Sequence, residues 1–177
     1  DHGDELVCDA VVCTPDLPVA YRTLVPDLPP PRRLARASFA PSATVWHAGV
    51  RGDLPIEAAH HNIHFGTEWS TAFDALFDRG ERMADPSILV TVPTVSEPSM
   101  APPGGHVLFA LEPVPNLDGS VDWRHERDRA RCDLAGRVEA LGYPTDVQVE
   151  RFVDPKDWEA QGMERGTPFA LDRKSTR

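Results

Sequence analysis

The chain has 177 residues, room for one domain or parts of two, and its 41% hydrophobic and 26% charged residues are too apolar a mixture for disorder. Its formal net charge is −10, with acids spread along the whole length. That argues against a nucleic-acid partner and against electrostatic docking on anionic lipid, both of which need clustered Lys and Arg. No apolar run approaches the ~18–20 residues of a membrane span.

In chain order, residues 6–13 carry Leu6, Val7, Val11 and Val12 and predict a short strand buried on both faces. Thr14-Pro15-Asp16 breaks it, and residues 18–24 predict a short helix with proline near its start. Residues 26–33 form a proline-rich connector, the best place for a domain crossing. Strands are expected at 42–50, 60–65, 87–95 and 106–113, each rich in β-branched or aromatic residues between turn signals. An amphipathic helix is expected at 70–83, with Ala72, Phe73, Leu76 and Phe77 on one side. The clearest helix covers 122–141: Asp122 is its N-cap, Trp123, Ala130, Leu134, Val138 and Leu141 its apolar stripe, and Gly142 its closing residue. A strand at 146–152 and a helix start at 154–157 follow. This order predicts an α/β (α+β) unit: a mixed, mainly antiparallel sheet covered on one face by helices. The opening strand fits poorly and reads as the edge of a different sheet.

His60, His61 and His64 invite a metal reading. On a strand His60 and His64 share one face and His61 takes the other, so the three cannot hold one ion without a bulge, and a site would have to draw on His47 or Cys13. Polar positions at a strand edge or cavity wall are the preferred reading, and no metal is expected. Cys8, Cys13 and Cys132 have no metal-type spacing and are expected to be reduced cytosolic thiols. No nucleophile elbow, P-loop or G-x-G-x-x-G occurs. The acidic pairs Asp53/Glu57 and Glu126/Asp128 read as solvated, and Trp46, Phe65, Phe109, Met163 and Phe169 as core or an apolar wall.

Five stretches, taken together, resemble bacterial phytoene desaturases of the flavin-dependent amine oxidase-like superfamily. They are DAVVCTPDLP at 9–18, PSATVWHAGV at 41–50, AHHNIHFG at 59–66, DPSILVTVPTVSEPSMAPPG at 85–104, and LEPVPNL at 111–117 running on to Asp122-Trp123. Their order and spacing carry the resemblance. It implies FAD on a Rossmann-like domain, and a polyene such as phytoene passing through an apolar tunnel beneath the flavin. It also implies loss of vicinal hydrogens toward lycopene or a shorter intermediate, with oxygen or a quinone as electron acceptor. The enzyme would be cytoplasmic and attached to the lipid surface as a peripheral protein, since its substrate dissolves in membrane. The redox chemistry would be the cofactor's.

On this resemblance residues 1–25 form the edge of the FAD domain, 26–171 the substrate domain, and 172–177 a tail unlike the family's continuation. Thr14, Pro15 and Asp16 match the family segment that runs near the flavin. Trp46, Phe65 and Phe109 are the large rings for the tunnel, with His61 at its wall or mouth. The glycine-rich FAD fingerprints lie outside this chain, which by itself is expected to be an inactive internal fragment that binds no flavin. The alternatives are a related carotenoid flavoenzyme (another polyene desaturase, an isomerase or a ketolase) or a stand-alone module for an apolar ligand.

Overall fold

The computed structural model describes residue 3 and residues 5–32 and 34–171, so the expected tail at 172–177 lies outside the described residues. Among the described residues five strands are formed: β1 (Ser42–Arg51), β2 (His61–His64), β3 (Ile88–Thr91), β4 (Gly105–Val114) and β5 (Asp146–Val153). They make one sheet of order β2-β3-β4-β1-β5, in which every neighbouring pair is antiparallel. The two ten-residue strands β1 and β4 run side by side in unbroken register from Ser42 opposite Val114 to Arg51 opposite Gly105. The helices are α1 (Leu17–Thr23), α2 (Trp69–Phe73, prolonged by a π-helical turn over Asp74–Arg79), α3 (Trp123–Ala140) and α4 (Pro155–Ala160). This is the antiparallel α+β unit expected from the residue pattern.

The main core lies between α3 and one face of the sheet. Strand alternation sends Trp46, Ala48 and Val50 of β1, Leu108 and Ala110 of β4 and Val90 of β3 to the same side, where they meet Trp123, Ala130, Leu134 and Val138 of α3. Asp122 caps α3 by accepting the Arg124 N–H at 3.0 Å, and Gly142 ends it at φ +86°. Leu141, the last member of the expected stripe, is only half-buried.

Three expectations are corrected. Residues 6–13 are not a buried strand: Leu6, Val7, Val11 and Val12 are 83–105% exposed. An apolar run becomes a strand only where another strand takes its N–H and C=O groups, and no described residue offers that pairing to this segment. The strand expected at 87–95 ends at Thr91, because Pro93 has no N–H to continue the ladder and opens a 3₁₀ turn instead. The helix expected to reach Met83 stops at Arg79, where Gly80 takes the left-handed conformation at φ +63°.

Leu134 has no exposed surface and sits at the centre of the α3–sheet contact. Leu134→Ala is therefore expected to lower the unfolding free energy by about 3 kcal/mol, measured by urea denaturation; a loss under about 1 kcal/mol would show that this contact is not the core.

Candidate functional site

The sheet face turned away from α3 carries the candidate site. Register brings His61, Thr91, Phe109, His47 and Arg151 into one row across all five strands, and Ile63, Leu89, Leu111, Val45 and Val153 into the next. Where α4 packs on β1 and β5 this face is closed, and Ala43, Val45 and Val153 are buried. Toward β2 it is open: Leu89, Phe109 and Leu111 are half-buried and Ile63 is 61% exposed. Phe65, just past β2, is 64% exposed and has the same parity as His61 and Ile63. An open row of large apolar side chains on a folded sheet marks a surface meant to be covered by a ligand or another element.

The open face runs on into α2. Phe65, Trp69, Phe73 and Phe77 recur every fourth residue, with successive ring centroids 5.5, 5.7 and 5.8 Å apart. The α2 N-terminus is held by Asp85, whose carboxylate accepts Thr67 N at 2.6 Å, Thr67 Oγ1 at 2.9 Å and Glu68 N at 3.3 Å. The Thr67 donors hold its pKa below the ordinary carboxylate value.

Of the four expected tunnel residues, three meet and one does not. His61, Phe65 and Phe109 share the open face, whereas Trp46 is fully buried on the α3 face, where its indole N–H donates to Glu150 at 2.6 Å. Neighbouring His47 is exposed on the open face, edge-on to Phe109 at 5.1 Å, with its pKa lowered first by partial burial and then by Arg151. The histidines expected not to form a metal site each meet a hydroxyl. His60 Nδ1 lies 2.8 Å from Ser96 Oγ, His61 Nδ1 2.9 Å from Thr91 Oγ1, and His64 Nε2 3.1 Å from Tyr143 OH. Thr14 and Pro15 are exposed, and Asp16 is already engaged, its carboxylate accepting Glu164 N at 2.9 Å.

The residues missed in the sequence are charged. Glu112 of β4 is fully buried on the α3 face, 2.9 Å from Arg137 and 3.4 Å from Arg82. Arg82 also holds Glu126 at 2.8 Å and Asp133 at 2.9 Å, so Glu126, expected in solvent, is part of this network. Burial pushes the Glu112 carboxyl up, against the pull of Arg137 and Arg82. The signal was available: Glu112 shares the inward parity of Leu108, Ala110 and Val114.

No family model matches the chain. Curated relatives do. A phytoene dehydrogenase of Streptomyces griseus is 42% identical over 176 residues, covering 95% of this chain and 34% of its own. A zeta-carotene-forming phytoene desaturase of Myxococcus xanthus is 33% identical, over 99% of this chain and 35% of its own. The chain belongs to the phytoene desaturase family. A 4,4'-diapophytoene desaturase (4,4'-diaponeurosporene-forming) of Staphylococcus aureus is 29% identical over 88% of the chain. The chain spans about a third of the length of these phytoene desaturases.

The Glu112 network yields two expectations. Glu112→Ala strands two guanidinium groups and should cost about 3 kcal/mol. Glu112→Gln keeps the shape and cannot ionise. Because the folded pKa of Glu112 is raised, its contribution to stability is full below the unfolded value and is lost as pH rises through the folded value. The stability of Glu112→Gln relative to the native chain should therefore improve with rising pH in thermal melts. A relative stability that falls with pH would mean the arginines, not burial, set the carboxyl's pKa.

Proposed function

We propose that the chain is the polyene-binding part of an FAD-dependent phytoene desaturase, an oxidoreductase of carotenoid biosynthesis that acts on CH–CH bonds. The 42% identity to a phytoene dehydrogenase over nearly the whole chain carries this reading. The open apolar sheet face supports it physically. A hydrocarbon offers no polar handle, so it must be bound by apolar area and shape, at about 25 cal/mol per Å² covered. Residues 26–171 form the substrate domain in this proposal, and residues 1–25, with their exposed apolar segment 6–13, the edge of the FAD domain. Among the described residues no pyrophosphate cradle supports a flavin site, and Asp16 is turned to Glu164. The nearness of Thr14, Pro15 and Asp16 to flavin thus rests on the family resemblance.

FAD, when bound by the whole enzyme, supplies the hydride acceptor. The work of this chain is to orient the polyene and keep water from it. Phe109, Leu111 and Leu89 present the floor, Phe65 the margin, and His61, tied to Thr91, a polar point on the wall. The relatives differ in product, one zeta-carotene-forming and another 4,4'-diaponeurosporene-forming, which favours leaving the number of desaturation steps to the tunnel's dimensions. A related carotenoid flavoenzyme would use the same wall. No described helix is long and apolar enough to cross a membrane. The enzyme is proposed to meet its lipid-dissolved substrate as a peripheral cytoplasmic protein, with oxygen or a quinone taking the electrons.

Phe65 tests the reading. With its ring 64% exposed, Phe65→Ala should change the stability of this chain by no more than about 0.5 kcal/mol. In an enzyme completed to family length it should alter turnover or the set of desaturation products while flavin content stays normal. An unaltered product pattern at normal turnover would remove Phe65 from the tunnel.

A further inference from the structure

A compact pocket of about 190 Å³ opens beside Phe65, between α2 and the end of the open sheet face. Its walls are Phe65, Trp69, Phe73, Leu76, Met83 and Pro113. Leu76 and Met83, each 6% exposed, form the floor. On one side Gly66 approaches the Asp85 backbone so closely that a Cβ there would collide with it, which closes that wall. The two polar side chains at the rim are already engaged. Asp85 accepts three donors from Thr67 and Glu68, and Ser87 Oγ accepts the Gly66 N–H at 3.3 Å. What remains for a ligand is apolar surface over a buried floor.

We infer that this pocket seats the blunt, methyl-branched end of an isoprenoid hydrocarbon, with Met83 and Leu76 as the stop. The inference rests on the desaturase reading and deepens it, because a fixed seat for one end sets which carbons lie along the rest of the wall. The size fits: an apolar cavity of about 150 Å³ takes a benzene-sized molecule, so this one accommodates a branched unit of about five or six carbons. The path fits too, since Phe65 and Pro113 belong both to the pocket and to the margin of the open face.

The test uses the 177-residue chain in mild detergent with isoamyl bromide, whose heavy atom quenches indole fluorescence on contact. Trp46 and Trp123 are buried in the α3 core and Trp158 is half-buried on α4, whereas Trp69 lines the pocket, and Trp69→Phe identifies its share of the signal. Quenching should saturate. Squalene, which ends in branched isoprenoid units, should displace the probe, and hexadecane should not. Ala72→Leu and Ala72→Phe push side chains into the pocket and should each weaken the probe about ten-fold, a loss of about 1.4 kcal/mol. Leu24→Ala, at an exposed residue after α1 and outside the pocket, should leave binding unchanged. Linear quenching, equal displacement by hexadecane, or native affinity in Ala72→Leu would overturn the inference, and the leucine variant decides if the phenylalanine variant does not fold. Saturable, squalene-sensitive binding by a chain whose completed enzyme desaturates no polyene would sink the desaturase reading and leave the pocket; desaturation without such binding would do the reverse.

Discussion

Glu112 is a carboxylate with no access to water in the middle of β4, and the arrangement of everything around it follows from how that charge is met. An isolated buried carboxylate would cost several kcal/mol, so it must be paired or protonated. Arg137 reaches it from α3 and Arg82 from the segment after α2. Arg82 binds two further acids of α3, Glu126 and Asp133, so one side chain ties sheet, helix and loop together. Met83 follows directly and is buried, and two residues on Asp85 takes the N–H groups of Thr67 and Glu68, just ahead of α2. The network on the covered face of the sheet thus fixes the segment that shapes the apolar pocket beside the open one.

The asymmetry of the two faces has a physical reading. On the α3 side β4 is sealed: Leu108, Ala110, Glu112 and Val114 have no exposed surface, while the residues between them are half-buried. A sheet that needed only one covered face would place polar side chains on the other. Here the second face offers Ile63, Leu89, Phe109, Leu111 and, at the margin, Phe65. Polarity enters in a single row, where Thr91 pairs with His61 and His47 stands against Phe109. A wall of that composition can recognise a partner mainly by shape and apolar area.

Much of this was legible, for reasons that differ by element. α3 was readable from a 3.6-residue stripe, an Asp cap and a closing glycine, all local signals. β1 and β4 were readable from β-branched runs between turns. Parity within one strand could have separated Trp46, which shares its side with Ala48 and Val50, from His47. Whether Trp46 and Phe65 share a face depends on register across three intervening strand pairings, and nothing local encodes that. Glu112 was legible by parity, but its partners Arg82 and Arg137 are distant in sequence and met only in the fold. Residues 6–13 mark the opposite failure, since a strand-like composition gives no strand without a neighbour to pair with.

The end of the described chain shows how the open face is braced. Arg165 and Ala170 adopt positive φ, +57° and +61°, which costs a non-glycine residue energy and persists only where surroundings hold it. Those surroundings are specific. Leu117 N donates to Arg165 O, Ala40 N to Ala170 O, and Thr167 Oγ1 to Pro41 O. Glu164 is gripped from the other side by Arg22 of α1 at 2.8 Å and by Asp16 through its N–H. These tethers join the chain before β1, the turn after β4 and the helix α1 at one end of the sheet. The same end holds Ala43, Val45 and Val153, three buried residues of the otherwise open face. The clasp closes the sheet where α4 packs and leaves it open toward β2 and α2, so the apolar wall has one sealed end and one that leads to the aromatic ladder.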